Sequence, residues 1–338
     1  MVREEIMKYN ATITSIGSYV PESVLTNEYL EKNYDTTKEW IDTKIGADNR
    51  HIAAPGEAAS DLAYKAASKC LEKTDGKIDC IIVSTTSPDY KWISTASIVA
   101  NRLGLKNISA FDVREGCSGC LHALDNAFTL IESGTYRRIL VIASEVLSRF
   151  MDYTDRTMPA FFGDGAGAVI VERCDSHRQG FEYSYLDCDD SIYDSLIIKT
   201  GASSQYYRKD NYLNGDIYWY MNGKDIFNYA VKSFKKLVEK ISNDTNISLS
   251  DIDKFIVHQA NKNIIEENFK IHSISIEKTN FTIQKFGNTG SSSVFLCLDD
   301  AVKRNFIVSG DRVALFSFGA GGNFGVIVLV WDGKGGCS

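Results

Sequence analysis

The sequence has few prolines, no long apolar run and no surplus of positive charge. Only four prolines occur in 338 residues, and no Pro/Gly/Ser-rich tract is present, which argues against a long disordered region. No apolar run approaches the ~20 residues that cross a bilayer, so we expect no membrane segment. The formal net charge is −7. Nucleic acid is therefore not expected as a partner, because phosphate binding needs clustered positive charge.

The sequence also lacks the features of exported and metal-binding proteins. The opening MVREEIMKYN is charged and has no apolar core of a secretory signal, so we expect a cytoplasmic protein with reduced cysteines. Cys117 and Cys120 form a C-x-x-C pair, which is compatible with a redox pair or with half of a zinc site. No second such pair completes a zinc cluster, so we expect no bound metal.

The chain contains two similar halves. Three pairs of segments match in the same order, the first two 174 residues apart and the third 176 residues apart. Such a repeat predicts a duplicated topology, with halves 1–173 and 174–338. The matched pairs are 78–86 with 252–260, 124–127 with 298–301, and 133–134 with 309–310.

Each half alternates strand-like and helix-like segments. Short β-branched runs such as IIVSTT, ILVIAS and VALFSF predict buried strands. Residues 225–241 predict an amphipathic helix, because apolar side chains recur every three or four positions. The alternation predicts an α/β fold with largely parallel sheets. The two halves form five layers only if their helices pack together.

Cys117 is a candidate nucleophile. It lies in FDVREGCSGC, where a strand-like segment gives way to a helical pattern. The N-terminus of a helix favours a thiolate, so we expect a reactive sulfur at this position. The alternative is a buried structural cysteine, which is the more common state of a free cysteine.

Two further polar residues lie at similar boundaries. His258, in VHQAN, follows an apolar strand, which is a usual place for a catalytic group in α/β sheets. Alone, it would be interpreted as a core histidine with satisfied hydrogen bonds. Asn288, in KFGNTGSSS, precedes a helical pattern. It is compatible with a helix N-cap or, beside a cysteine and a histidine, with a donor to a thioester carbonyl.

Two glycine-rich runs resemble nucleotide-binding loops, GDGAG at 163–167 and GAGGNFG at 319–325. Each precedes a strand-like run and not a helix, which is the wrong order for a dinucleotide fingerprint or a phosphate loop. We expect tight turns between strands, the second of which could aim a backbone N–H group at a reacting carbonyl.

Together these motifs resemble the β-ketoacyl-acyl carrier protein synthase III family. The resemblance rests on Cys117 in FDVREGCSG, FGDGAGA at 162–168, His258 in HQAN, Asn288 in FGNTG, and the early segment GSYVPESVLTNEYLEK. The matches run in order over nearly the whole chain. The resemblance implies the thiolase fold, with two βαβαβαββ halves in five layers, and a homodimer.

The resemblance also implies a condensing reaction that needs no cofactor beyond its CoA thioester substrate. Cys117 would take an acyl group from acyl-CoA, and a malonyl thioester on an acyl carrier protein would then bind. His258 and Asn288 would polarise its carbonyl, so that loss of carbon dioxide leaves an enolate. The N–H groups of Cys117 and Ala320 would form the oxyanion hole, and the product would be a 3-oxoacyl thioester.

Other positions of the resemblance concern substrate binding. Trp40 would stack on the adenine of CoA, and Trp92 would reach the acyl pocket of a partner subunit, where its size favours a short or flat acyl group. The residues that the resemblance assigns to substrate or CoA binding are Trp40, Trp92, Arg156, Phe227 and Asn261.

Several positions depart from the family pattern. Lys44 replaces an arginine, Asn228 replaces a lysine and Asn263 replaces an arginine, which puts carrier docking in question. Lysines in 232–270 are either replacements or a solvated helix face. Glu115 stands where a small residue is usual, and it would raise the pKa of Cys117 unless it is turned away or paired. These departures motivate an alternative, in which the acyl group passes to an amine, an alcohol or an activated carbon acid.

Overall fold

The computed structural model describes residues 9–155, 158–174 and 180–332, which form two main sheets with helices on both faces. The strands are β1 (Asn10–Tyr19), β2 (Ser23–Thr26), β3 (Asn49–Ile52), β4 (Cys80–Ser84), β5 (Ser109–Val113), β6 (Arg138–Glu145), β7 (Gly165–Cys174), β8 (Gly180–Cys188), β9 (Leu196–Ile197), β10 (Tyr220–Met221), β11 (Lys254–Val257), β12 (Arg312–Phe318) and β13 (Asn323–Val330). The α-helices are α1 (Asn27–Asn33), α2 (Lys38–Lys44), α3 (Ala59–Leu71), α4 (Thr95–Arg102), α5 (Gly119–Glu132), α6 (Met158–Phe161), α7 (Lys209–Leu213), α8 (Gly223–Asp244), α9 (Lys262–Ile271), α10 (Ile283–Phe286) and α11 (Ser293–Lys303).

The first sheet has the strand order β1-β7-β6-β4-β5. β4 pairs in parallel with β5 and β6, whereas β7 pairs antiparallel with β6 and β1. Along the chain, these strands alternate with α3, α4 and α5 in the order βαβαβαββ. The topology that the resemblance implied is therefore confirmed for this half.

The second sheet repeats this plan with the order β11-β12-β13-β8. β11 and β12 are parallel, and the other two pairs are antiparallel. The place equivalent to β5 holds an isolated parallel bridge between Phe255 and Thr279. The first two pairs of repeated segments lie on matching elements, β4 with β11 and α5 with α11, and the third pair lies just before β6 and β12. The duplication is therefore confirmed.

Helices α5 and α11 lie between the two sheets and join them into one core. Their apolar side chains pack against both sheets in a single buried cluster. Helices α3 and α4 cover the outer face of the first sheet, and α8 and α9 cover the outer face of the second. The predicted five layers are thus present, and helix α8 contains the predicted amphipathic segment. Members of the central cluster are Leu124, Phe128, Val141, Phe295, Leu298 and Leu315.

The two glycine-rich runs have different structures. Gly321 and Gly322 have φ values of 77° and 80° in a turn between β12 and β13, as predicted. Gly165 and Gly167 instead lie inside β7, so the predicted turn is wrong there. A Cβ atom at Gly167 would collide with Phe295 on α11, which explains why a strand holds glycine at this point.

Cys174 is disulfide-bonded, so the expectation that all eight cysteines are reduced is wrong at this position. No helix within the three described ranges combines the length and the apolar character needed to cross a membrane. In the same part of the chain, no group of three or more His, Cys, Asp or Glu residues has the arrangement of a metal site.

Candidate active site

A cavity at the carboxyl ends of the parallel strands brings Cys117, His258 and Asn288 together. Cys117 lies in a 3-10 turn before α5, and His258 directly follows β11. Asn288 precedes a second 3-10 turn, 290–292, which leads into α11. The cavity encloses about 640 Å³, part of it open to solvent, and most of its lining side chains are apolar. Three residues that are distant in the sequence thus face one space.

The Cys117 sulfur is protonated in the free protein. Burial raises the pKa of this thiol to about 12, and the carboxylate of Glu145 acts in the same direction. The backbone N–H groups of Ala320 and of Cys117 itself lower the pKa, but burial outweighs them. Burial therefore opposes the thiolate that the N-terminus of the helix was expected to favour. Desolvation dominates, and the α-helix begins only at Gly119.

The turn between β12 and β13 packs directly against the backbone at Cys117. A Cβ atom at Gly319 would collide with the Cys117 nitrogen, and one at Gly116 would lie 2.9 Å from the Ala320 nitrogen. The Ser317 hydroxyl donates a hydrogen bond to the Cys117 carbonyl oxygen over 2.9 Å. This close packing lets the Ala320 N–H group approach the sulfur.

His258 is neutral, because burial lowers its pKa to about 3. Its Nδ1 atom lies 2.6 Å from the Ser293 hydroxyl oxygen, which also accepts a hydrogen bond from the Gln259 N–H group over 3.3 Å. We assign the Ser293 hydroxyl as the donor to Nδ1, which places the imidazole proton on Nε2. The ring meets Phe318 edge-on, with centroids 5.6 Å apart.

Asn288 is held by both its backbone and its side-chain oxygen. Its N–H group donates to the Phe161 carbonyl (2.9 Å), and its own carbonyl accepts from Gly163 (3.0 Å). Its Oδ1 atom accepts from the Gly290 N–H group (2.9 Å). The NH2 group is therefore the donor that remains for a ligand. The N-cap of α11 is Ser292, so the alternative N-cap role of Asn288 is wrong.

Sequence comparisons identify the family. A family model for 3-oxoacyl-[acyl-carrier-protein] synthase III matches residues 111–189, and its C-terminal counterpart matches residues 243–331. The β-ketoacyl-[acyl-carrier-protein] synthase III of Chlamydia caviae is 38% identical over 322 residues, 94% of this chain and 96% of the relative. The chain belongs to the 3-oxoacyl-[acyl-carrier-protein] synthase III family. It is an acyl-transferring condensing enzyme, as the sequence motifs predicted.

Solved structures share the fold of this synthase III chain. The synthase III of Thermus thermophilus has a TM-score of 0.88 at 35% identity, with 96% of this chain and 100% of that chain covered. A priming β-ketosynthase of a polyketide pathway has a TM-score of 0.88 at 28% identity, with 97% and 98% covered. The thiolase-type fold is therefore confirmed.

Three more residues that the synthase III resemblance assigned also line the cavity. They are Phe227, Asn261 and Ala320. The Asn261 side chain is occupied by the backbone, because Oδ1 accepts from the Asn263 N–H group (2.8 Å) and Nδ2 donates to the Lys44 carbonyl (2.6 Å). Asn261 therefore ties the start of α9 to the end of α2 at the wall of the cavity.

The remaining assigned residues lie elsewhere. Trp40 is half-buried against the small core around α2 and does not line the cavity. Trp92 also lies outside the cavity, and 98% of it is exposed. Arg156 lies outside the described residues.

The charge of Glu115 affects the pKa of Cys188 and not that of Cys117, although Cys117 is the closer cysteine in the sequence. Burial and the charges of Asp190 and Asp187 raise the pKa of Cys188, and the charge of Glu115 adds to them, whereas Glu115 is not among the causes of the shift at Cys117. This difference favours the interpretation in which the Glu115 carboxylate is turned away from the nucleophile.

The lysines considered as replacements for the family's basic residues are largely neutralised. Lys232 pairs with Asp189 over 2.7 Å, and Lys236 pairs with Asp187. Exposed pairs of this kind contribute little stability, but they reduce the positive charge that the helix presents. Two further pairs are Lys235 with Glu239 (3.9 Å) and Lys262 with Glu266 (3.5 Å).

Sequence reasoning missed Glu145 and Ser293. Glu145 is fully buried at the end of β6 and acts on the Cys117 sulfur, and Ser293 orients the His258 ring. A signal for Glu145 was available. The carboxylate directly ends the apolar run ILVIAS, which reaches the same edge of the sheets as His258. Ser293 carried no such signal, because it is one of three consecutive serines.

Proposed function

We propose that Cys117 accepts an acyl group from acyl-CoA and that the enzyme condenses it with a malonyl thioester to give a 3-oxoacyl thioester. The observation that carries this proposal is the convergence of Cys117, His258 and Asn288 on one cavity beside the Ala320 N–H group. The half 1–173 supplies the sulfur, and the half 174–338 supplies the imidazole and the amide.

In the first step, the sulfur attacks the carbonyl carbon of acyl-CoA. A bond forms between Cys117 and the acyl carbon, the bond to CoA breaks, and the thiol proton leaves with the CoA sulfur. Because the pKa of Cys117 is raised, the proton stays on the sulfur until the substrate is in place. The N–H groups of Cys117 and Ala320 hold the oxyanion, and each such donor is typically worth about 3 kcal/mol.

In the second step, the malonyl thioester loses carbon dioxide. His258 and Asn288 donate hydrogen bonds to its carbonyl oxygen, and the electron pair of the broken carbon–carbon bond becomes an enolate. The enolate carbon attacks the acyl carbonyl, and the bond to Cys117 breaks. The released thiolate takes a proton from solvent. A neutral imidazole suits this role, since it donates a hydrogen bond to the developing negative charge and carries no positive charge that would hold the malonyl carboxylate.

Binding of CoA and of the malonyl donor requires further residues and partners. We assign CoA binding to Trp40, Phe227, Asn261 and Arg156, and we propose that an acyl carrier protein delivers the malonyl group. The enzyme acts as a homodimer in this proposal, with Trp92 at the acyl pocket of the partner subunit. No cofactor takes part beyond the CoA thioester that serves as substrate.

Intact-protein mass spectrometry after incubation with a panel of acyl-CoA substrates tests the first step. We expect one acyl group per chain, and none on Cys117→Ala. Labelled malonyl thioester then tests the second step, and we expect carbon dioxide release that His258→Ala and Asn288→Ala abolish. Absence of acyl loading would contradict the proposal. Loading without carbon dioxide release would indicate a different acceptor, such as an amine or an alcohol.

A further inference from the structure

Glu145 lies at the centre of a hydrogen-bond network that the steps above do not use. It ends β6 and is fully buried. Its Oε1 atom accepts hydrogen bonds from the Thr86 N–H group (3.1 Å) and the Ser291 hydroxyl (2.8 Å). Its Oε2 atom accepts from the hydroxyls of Thr86 (2.9 Å) and Ser87 (2.7 Å). Both carboxylate oxygens are thus occupied, and every donor is neutral.

No ion pair of Glu145 with a lysine, arginine or histidine occurs within residues 9–155, 158–174 and 180–332. Burial raises the pKa of this carboxyl, and the surrounding hydroxyl and amide donors oppose that effect. A buried carboxylate without a cation is costly, and an apolar residue would stabilise the fold at lower cost. Such groups concentrate at functional sites, so this one calls for an explanation within the site.

The network connects the turn that follows Asn288 to the end of β4. Ser291 and Gly290 both belong to this turn, and a Cβ atom at Gly290 would lie only 3.1 Å from Cγ of Glu145. The Gly290 N–H group is also the donor to Oδ1 of Asn288. Thr86, on the other side of the carboxylate, follows β4. Contacts therefore run from Glu145 through the turn to the amide of Asn288.

We propose that Glu145 is a positioning residue of this site, whose carboxylate holds the turn 290–292 against the end of β4 and so aims the Asn288 amide into the cavity. This inference rests on the proposed function, in which Asn288 acts in decarboxylation and has no part in acyl loading. Loss of the Glu145 carboxylate therefore impairs the second step more than the first.

The charge of Glu145 also acts on the sulfur. The titratable groups around Cys117 are Glu145 from β6, His258 after β11, Cys120 on α5 and Tyr229 on α8. Burial keeps His258 neutral, and it raises the pKa of both Cys120 and Tyr229, so these two are also neutral at physiological pH. Glu145 accepts hydrogen bonds at both oxygens, which is the pattern of an ionised carboxylate, and removal of this charge lowers the pKa of Cys117.

Glu145→Gln tests the proposal, because it keeps the size of the side chain and removes its charge and one acceptor oxygen. Acyl loading and carbon dioxide release are measured on the same protein. We expect carbon dioxide release to fall about tenfold or more, since misplacing a catalytic donor has effects of this order. We expect acyl loading to stay within about threefold of the wild-type rate, because the Cys117 and Ala320 N–H groups are unchanged.

Ser291→Ala separates the positioning of Asn288 from the effect of the Glu145 charge on Cys117. It removes the hydrogen bond from the turn to the carboxylate and leaves the charge. We expect it to reduce carbon dioxide release while the pH profile of Cys117 alkylation by iodoacetamide stays that of the wild type. Glu145→Gln moves this profile to lower pH. Ser144→Ala is the matched control, since this neighbouring buried hydroxyl donates its hydrogen bond to the Ala59 carbonyl (2.7 Å) and not to the turn. We expect the control to keep both steps.

The proposal is overturned if Glu145→Gln and Ser291→Ala slow both steps by the same factor, or if both variants retain carbon dioxide release. If Glu145→Gln does not fold, Ser291→Ala decides alone. The pH profile of Cys117 alkylation is measured without acyl-CoA and without the malonyl thioester. If the wild-type enzyme neither loads an acyl group nor releases carbon dioxide, the proposed function fails, whereas an unchanged alkylation profile in Glu145→Gln counts against the role of Glu145.

Discussion

Cys117 and His258 are both uncharged in the cavity, and burial is the main cause in each case. The pKa of the cysteine lies above its ordinary range and that of the histidine lies below it. The two groups therefore do not form a thiolate–imidazolium pair, in which each charge stabilises the other. The arrangement instead offers a neutral hydrogen-bond donor and a thiol that loses its proton only during acyl transfer.

The low pKa of His258 predicts how stability depends on pH. The folded protein does not bind the proton that an unfolded histidine binds below pH 6.5, so stability is complete above that pH and is lost as the pH falls towards 3. Between pH 7.5 and pH 5, His258 alone should remove about 2 kcal/mol from the free energy of unfolding. Urea titrations of the wild type and His258→Gln at both pH values measure this difference.

The control for this prediction is His122→Gln. His122 is half-buried on α5, outside the cavity. The wild type and the control should lose more stability at pH 5 than His258→Gln does. Equal losses in all three proteins would mean that His258 is protonated in the folded state or that its ring is exposed to water.

The identities of the three site residues could be predicted, but their states could not. Cys117, His258 and Asn288 each stand at the end of a strand or before a helix, which local sequence reveals. The protonation of the sulfur depends first on burial, to which the turn around Gly319 contributes, and then on Glu145 at the end of β6. These are contacts between distant segments, which a residue's neighbours in the sequence do not specify.

At the scale of elements, α11 packs closely against β7. The first half contributes the strand and the second half contributes the helix, so this contact joins the two halves beside the central layer. Gly167 and Phe295 meet there without space for a side chain at the glycine. A buried strand glycine resembles a turn glycine in sequence, and only the helix from the other half distinguishes them.

Replacement of Gly167 by valine should destabilise the enzyme. The new side chain would overlap Phe295 and force α11 away from the sheet, and overpacking of this kind costs about 1–3 kcal/mol. Gly223→Ala is the control, because nothing lies within 4 Å of a Cβ atom at that position, and we expect a change below about 0.5 kcal/mol. Urea unfolding of the three proteins provides the comparison. Equal stability of Gly167→Val and the wild type would show that α11 does not approach β7 this closely.

At the scale of the whole molecule, both halves are required to complete the site. The first half contributes Cys117 and Glu145, and the second contributes His258, Asn288 and the turn that carries Ala320. Internal repeats in the sequence could predict the two halves and their shared topology. They could not predict that the halves face each other across α5 and α11, because either half would bury its helices equally well against any apolar surface.

The last prediction concerns Trp92 and the proposed homodimer. Its side chain is 98% exposed in the single chain, and β5 forms an edge of the first sheet. Burial of one such aromatic side chain contributes about 2 kcal/mol or more, so a partner subunit that covers Trp92 is favoured. If the indole closes the partner's acyl pocket, Trp92→Ala should load long acyl groups faster, relative to short ones, than the wild type does.

Competition experiments measure this change, with equimolar short and long acyl-CoA and intact-protein mass spectrometry. We expect the ratio of long to short acyl loading to rise about tenfold or more, since one methylene in an apolar pocket is worth about 1–3 kcal/mol. Tyr90→Ala is the control, an exposed aromatic residue two positions away whose loss should not change the ratio. Sedimentation equilibrium gives the oligomeric state. A monomeric wild type, or a wild type that loads long chains fastest, would contradict a role of Trp92 in limiting acyl length, because the indole of a single chain lies outside the cavity that holds the sulfur.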